Sequence, residues 1–197
     1  MIRKKKFAIL IAVFVLVVVC VFVIWSNRVF GLLGVAPDEV NISPDAYYPI
    51  TYVVDGDTFK VDVGGSDESY TKWSPHLTPK IITIRVLGIN TPETVDPRKP
   101  VECYGSEASA LAKDLLNGHK VKLIFNPNRE LKDKYDRYLA YVYRDDGLFY
   151  NEIMIKEGFA REYTYGLAYS MQKEFRVAEA LAQKNKLGLW GACVKAK

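Results

Sequence analysis

Phe59, Val61 and Val63 alternate with Lys60 and Asp62, a period of two that predicts a strand with one buried face. A second apolar run, Ile50–Val54, precedes it across Asp55-Gly56. Asp-Gly between two such runs predicts a hairpin. The stretch Gly64–Lys80 is polar, contains Gly65, Pro75 and Pro79, and reads as a loop. A third strand is predicted over Lys80–Ile89, a fourth around Val121, Leu123 and Phe125, and a fifth around Leu139, Tyr141 and Tyr143. Helical spacing appears at Ala108, Leu111, Ala112 and Leu115, with Gly118 placed to end the helix. A short helix over Glu152–Glu157 would close at Gly158, and Met171, Phe175, Ala178 and Ala182 form the stripe of a last long helix. Periodicity alone gives the class α+β. Five short strands with about three helices fit a small closed barrel with helices packed outside.

The N-terminus follows a different pattern. Phe7–Trp25 is an uncharged apolar run of 19 residues behind Arg3, Lys4, Lys5 and Lys6. At about 1.5 Å per residue it is long enough to cross a hydrocarbon core of roughly 30 Å. We therefore expect a membrane anchor, an N-terminal transmembrane helix, over residues 1–27. A linker with Gly31, Gly34, Pro37 and Pro44 over 28–47 and one domain over 48–197 would follow. The alternative is a cleaved signal peptide and a secreted domain. That reading usually needs a shorter apolar region and an A-x-A-like site, which Trp25-Ser26-Asn27-Arg28-Val29 does not supply. A lipoprotein reading through Cys20 meets the bulky Val19 just before it. Basic residues before the run, and only Arg28 close after it, place the domain outside the cytoplasm.

Charge changes the picture once the anchor is set aside. The chain has 27 lysines and arginines against 23 acidic residues, and four of the basic ones precede the apolar run. The remainder is formally neutral. It lacks the general basic field of a protein that binds nucleic acid by counterion release alone, so phosphate recognition would need a local cluster of charge. The two histidines, His76 and His119, give no basis for histidine-pair chemistry. No cysteine–histidine spacing suggests zinc.

The densest chemistry lies in Ile84-Arg85-Val86-Leu87-Gly88-Ile89-Asn90-Thr91-Pro92-Glu93-Thr94. Read as a strand and turn, it places Arg85 on one face with Ile81, Leu87 and Ile89. A cation on an apolar face must be paired or used; a structural ion pair is the plainer of these readings. Upstream stands Val54-Asp55-Gly56-Asp57-Thr58-Phe59, and downstream Asp133-Lys134-Tyr135-Asp136-Arg137-Tyr138-Leu139-Ala140-Tyr141. Gly158-Phe159-Ala160, Tyr163-Thr164-Tyr165 and Leu187-Gly188-Leu189-Trp190 follow. In this order and spacing, from about Tyr48 to Trp190, they resemble the staphylococcal nuclease family.

The resemblance implies an OB-fold barrel, an architecture that binds oligonucleotides. It also implies calcium-dependent hydrolysis of DNA and RNA phosphodiesters by a monomer. In that reading Arg85 and Arg137 are the catalytic cationic clamp, whose planar fork suits phosphate. Glu93 is the general base or the group that positions water; its plainer role is a loop carboxylate after Pro92. Asp57, Asn90 and the Thr91 carbonyl are the metal positions, with Asp55 left to build the turn. The best-known family pattern has Asp where Asn90 stands, so one negative charge is missing. Lys99 and Lys134 would hold a neighbouring phosphate, and Tyr135, Tyr163 and Tyr165 would contact sugar or base. Cys103 and Cys193 flank landmarks that the family fold brings to the surface; they are a disulfide in this reading and two separate thiols otherwise. The alternative function is a nucleic-acid-binding barrel without catalysis.

Overall fold

The computed structural model describes residues 40, 42–64 and 80–193. The expected anchor, most of the linker and most of the 64–80 loop lie outside the described residues. So do Cys20 and His76. Among the described residues no helix is long and apolar enough to cross a membrane.

Seven strands and four helices are present among them. In chain order they are β1 (Tyr48–Val53), β2 (Thr58–Asp62), β3 (Ile81–Val86), β4 (Ile89–Asn90), α1 (Gly105–Leu116), β5 (Lys120–Phe125), β6 (Tyr138–Arg144), α2 (Tyr150–Lys156), β7 (Arg161–Glu162), α3 (Gln172–Lys184) and α4 (Leu189–Ala192). Strands β1, β2, β3, β6 and β5 close into a barrel in that order, with β5 pairing back onto β1. Only β3 and β6 run parallel. Cross-strand partners share a face, and the pairs Phe59–Ile84, Val61–Ile82, Val86–Ala140 and Leu123–Val142 carry the buried apolar set. Along β6 the buried alternate residues are Tyr138, Ala140 and Val142, while Leu139 and Tyr143 sit on the other face, half-buried.

The expected single strand over Lys80–Ile89 is two strands. β3 stops at Val86, the chain turns at Leu87-Gly88, and Ile89–Asn90 leaves the barrel to pair with β7. Gly88 has φ 80°, and a Cβ there would lie 2.8 Å from the Tyr169 ring, so the turn needs glycine. The break also cancels the expected shared face of Arg85 with Leu87 and Ile89. Arg85 opposes Thr58 and Leu139 on the outer surface of the barrel wall.

Among the described residues there are four helices rather than about three, because the chain at the Leu187–Trp190 landmark winds into α4. Against the outside of the barrel, Phe175 of α3 meets the rings of Tyr141, Phe149 and Tyr169. Helix α2 fixes two turns through its first two residues. The Tyr150 hydroxyl donates to the Gly56 carbonyl at 2.7 Å, and Asn151 Nδ2 donates to the Leu87 carbonyl at 2.7 Å. Asn151 Oδ1 accepts the Val142 N–H at 2.9 Å, and the residue is fully buried. Replacing Asn151 by Ala orphans a buried donor and a buried acceptor at about 1–3 kcal/mol each. Urea unfolding is expected to show a loss of about 2–5 kcal/mol, with an unchanged m-value.

Candidate active site

The turn after β1 is built as the Asp-Gly pair predicts. Asp55 Oδ1 accepts the Asp57 N–H at 3.0 Å, an Asx turn. A Cβ on Gly56 would fall 2.5 Å from Thr91 Cγ2, so glycine lets the hairpin press against the segment after β4. This close approach brings Asp57 to Thr91. Asp57 Oδ2 accepts from the Thr91 N–H at 2.9 Å and the Thr91 hydroxyl at 3.1 Å, and Oδ1 accepts from the Thr58 hydroxyl at 3.0 Å.

Arg85 completes the network. Its Nη2 lies 3.2 Å from Asp57 Oδ2, with the two side chains 11% and 8% exposed. Nη1 donates to the carbonyls of Val86 (2.9 Å) and Ile89 (2.8 Å), and Nη2 to Asn90 Oδ1 (2.9 Å). Both terminal nitrogens are therefore engaged by the protein. The plain ion-pair reading describes much of what Arg85 does here.

Glu93 Oε1 accepts three N–H groups, from Thr94 (2.9 Å), Val95 (2.7 Å) and Asp96 (3.1 Å). Its carboxylate is thus the cap of its own turn, and Oε2 has no hydrogen bond among the described residues. The loop from Glu93 to Glu102 is closed reciprocally. The Glu93 N–H donates to Glu102 Oε2 at 3.1 Å, and the Glu102 N–H to the Glu93 carbonyl at 2.9 Å.

Arg137 is not a free surface charge. Its Nε and Nη2 both meet Asp133 Oδ2, at 2.8 and 2.7 Å, and Asp133 Oδ1 takes the N–H groups of Tyr135 and Arg137. Burial works against the Asp133 charge, but the Arg137 guanidinium and these N–H groups hold its carboxyl below the usual range. Nη1 of Arg137 has no hydrogen-bond partner among the described residues. The Tyr135 ring lies 5.3 Å from the Arg137 guanidinium and 5.0 Å from Lys134 Nζ. Tyr135, Tyr163 and Tyr165 are 67%, 46% and 63% exposed.

All eleven residues expected at the site line one cleft of about 840 Å³: Arg85, Glu93, Arg137, Asp57, Asn90, Thr91, Lys99, Lys134, Tyr135, Tyr163 and Tyr165. Cys103 and Cys193, 90 residues apart, are bonded with a Cα–Cα distance of 5.9 Å. The local cluster of charge expected for phosphate recognition lies in this cleft and is mixed in sign. The cleft wall carries six basic side chains and six acidic ones, and three ion pairs, Arg85–Asp57, Arg98–Asp96 and Arg137–Asp133, join half of each.

Among the residues that sequence reasoning did not single out, Glu102 and Asp133 act through Glu93 and Arg137. Arg129 donates to the carbonyls of Leu167 and Tyr165, fastening the tyrosine-bearing segment to the β5–β6 connection. None of the three carries a periodic or spacing signal. Asp133 alone stood inside a recognised motif.

A hard divalent cation fits the donor set, though sparsely. Asp57, Glu93 and the Thr91 carbonyl offer oxygen, the ligand type calcium takes. No group of three or more His, Cys, Asp or Glu is arranged to ligate among the described residues. Burial, then the neighbouring charges of Asp57 and Glu93, push the Asp55 carboxyl up to about 6 against the pull of the Asp57 N–H and Arg85. The Asp57 and Glu93 charges are the lesser part of that rise, and a cation beside them would oppose it. Asn90 contributes less than its position suggests. Arg85 can only donate, so the atom facing it is the amide oxygen. The amide nitrogen then donates to the Thr91 carbonyl at 3.3 Å.

Comparison with known proteins finds the family model "Staphylococcal nuclease homologue" matching residues 83–192. The chain is 38% identical over 143 residues to a protein named thermonuclease from Staphylococcus hyicus, covering 73% of this chain and 75% of that one. The same identity and coverage hold for a thermonuclease of Staphylococcus intermedius. Endonuclease YncB of Bacillus subtilis is 38% identical over 138 residues, 70% of this chain and 58% of the relative.

The Asp133–Arg137 pair has its own test. A carboxyl held below its usual range keeps its contact above the ordinary carboxylate pKa and loses it only as pH falls through the lowered value. The Arg137 Nε–H resonance is expected to exchange slowly near neutral pH and to broaden only in strong acid. In Asp133→Asn it is expected to exchange rapidly throughout, as read by nitrogen-15 NMR.

Proposed function

The chain belongs to the staphylococcal nuclease family and is a nuclease; on that premise we propose that it hydrolyses DNA and RNA phosphodiesters with little sequence preference and with calcium. The observation that carries the reading is the convergence of all eleven expected side chains on one open cleft. Exposed tyrosines along that cleft bind bases by their faces, which every base offers.

The residues divide the work. Arg137, with Nη1 unspent, donates to the scissile phosphate, and Asp133 fixes its fork. Arg85 supplies positive charge at the cleft floor and holds Asp57, Asn90 and the chain after them in place. Glu93, its Oε1 anchored by three N–H groups, presents Oε2 to a water. It orients that water or takes its proton as the oxygen attacks phosphorus and the opposite P–O bond breaks. Positive donors aimed at charge developing on the phosphoryl oxygens lower the barrier. Lys99 and Lys134 hold the flanking phosphate. Asp57, the Thr91 carbonyl and, through water, Glu93 would hold calcium, which supplies Lewis-acid stabilisation of the phosphoryl oxygens when bound. The proposal also keeps the N-terminal run as an uncleaved anchor with the nuclease domain outside the cytoplasm. Sequencing the N-terminus of the mature protein tests this, and a soluble species starting near Ser26 to Ala36 would overturn it.

The two arginines are expected to separate under substitution by Lys. Arg137→Lys keeps charge but loses the fork, so turnover falls at least about a hundredfold with thermal stability unchanged. Arg85→Lys is expected to lower turnover and stability together, because three hydrogen bonds and a buried pair depend on its geometry. Full activity in Arg137→Lys sinks its assignment.

Calcium titrations of hydrolysis place the cation. Asp57→Ala is expected to lose calcium-dependent cleavage of both nucleic acids. Asn90→Asp restores a ligand charge and is expected to lower the calcium needed for half-maximal rate. An unchanged requirement in Asn90→Asp would move the site elsewhere.

A further inference from the structure

The segment from Glu93 to Glu102 is held at its neck by two hydrogen bonds between those residues, one from the Glu93 N–H to the Glu102 carboxylate and one from the Glu102 N–H to the Glu93 carbonyl. Because Glu93 Oε1 is bound by the N–H groups of Thr94, Val95 and Asp96, its carboxylate cannot turn independently of the main chain there. What fixes the neck fixes the carboxylate. Yet the C-terminal stem has little burial of its own. Val101 is 56% exposed, and Glu102 and Cys103 are exposed as well. Hydrogen bonds at such a surface contend with water and hold geometry weakly.

The next residue, Cys103, is bonded to Cys193, and Cys193 is firmly rooted. Its N–H donates to the Leu189 carbonyl at 3.0 Å, and the Leu189 N–H donates to the Gly158 carbonyl at 2.8 Å. Leu189 is 2% exposed. In α4 the Trp190 ring stacks on the Arg161 guanidinium at 4.6 Å, and Arg161 pairs with Asn90 across β7 and β4. The disulfide therefore connects a weakly held stem to a helix tied to the cleft floor.

We infer that the Cys103–Cys193 disulfide, acting through Glu102, is a positioning element for Glu93 in phosphodiester hydrolysis. The inference rests on the proposed role of Glu93. A disulfide that only stabilises the fold works chiefly on the unfolded chain and leaves turnover untouched below the melting temperature. A positioning disulfide changes kcat at temperatures where the fold is intact, because small displacements of a reacting group are costly.

The test is steady-state hydrolysis of a DNA oligonucleotide by the full chain, well below each variant's melting point. Cys103→Ala/Cys193→Ala is expected to lose about tenfold or more in kcat with KM within about twofold. Glu102→Ala, which keeps the disulfide and serves also if the cysteine-free protein folds poorly, is expected to show the same loss. Glu102→Gln, whose amide oxygen still accepts the Glu93 N–H, is expected to recover most of it. In a Glu93→Gln background none of these changes should reduce the rate further. Wild-type kcat in the folded cysteine-free protein overturns the inference, as does wild-type kcat in Glu102→Ala. An equal further loss in the Glu93→Gln background also overturns it, leaving the role of Glu93 standing. Wild-type hydrolysis by Glu93→Gln alone overturns both.

Discussion

The buried pair of Arg85 and Asp57 organises the whole site. Taking both charges out of water costs several kcal/mol for each ion unless geometry and further hydrogen bonds compensate. Here they do: Arg85 gives its remaining Nη donors to two carbonyls and the Asn90 oxygen, while Asp57 receives two hydroxyls and an N–H. Each partner of the pair belongs to a different part of the chain. Satisfying the pair therefore fixes the hairpin turn against the end of β3, and the Leu87-Gly88 turn against β4. Without that turn Asn90 and Thr91 would continue along the barrel wall, away from Asp57. A fully connected polar network of this kind specifies one arrangement, and the cleft inherits its floor from it.

The same dependence explains which parts of the structure were legible in the sequence. Barrel strands announce themselves by alternation, as Phe59, Val61 and Ile82, Ile84 do. The break of β3 at Val86 does not, because Leu87 and Ile89 continue an apolar strand pattern. The groups that hold the bend come from more than 60 residues away: Asn151 donates to the Leu87 carbonyl and the Tyr163 N–H to the Gly88 carbonyl, while the Tyr169 and Phe175 rings leave no room for a Cβ at Gly88. β7 and β4 are two residues each, too short for any period to register. The cleft residues were found because they stand in motifs. Glu102 and Arg129 were not found, since their side chains hold main-chain groups, an N–H for Glu102 and two carbonyls for Arg129, and such a bond leaves no mark on the partner's identity.

Glu93 and Arg137 show why motif residues need their neighbours. By itself each admits a plain reading, a loop carboxylate for Glu93 and, among its charged neighbours Lys132, Asp133, Lys134 and Asp136, a solvated charge for Arg137, and the structure contains an element of both. Glu93 does cap its own turn. Arg137 does pair with an acidic neighbour of its own segment. These bonds use one oxygen of the carboxylate and one edge of the guanidinium, leaving the other side of each group unspent. The structural bond is what orients the free edge, so the plain and the chemical reading are two faces of one side chain. Preorganised groups of this kind need little rearrangement when charge develops in the transition state.

Charge balance in the cleft then connects cation to substrate. With six acidic and six basic side chains on its wall, the cleft has no formal excess to draw a polyanion. Its three ion pairs neutralise locally, and the unpaired remainder includes Asp55, Glu93 and Glu102 beside Lys99, Lys134 and Arg129. Asp55 already resists ionisation, from burial and from Asp57. A divalent cation near Asp57 would offset that negative potential and give the cleft the positive balance that phosphate recognition needs. Linkage makes the relation reciprocal: a phosphate that binds better beside the cation must raise the cation's affinity by the same factor. If the cation sits there as proposed, Asn90 would deepen this coupling: with one carboxylate charge fewer at the floor, the free protein would hold the cation less, and the substrate phosphate would supply a larger share of the ligation.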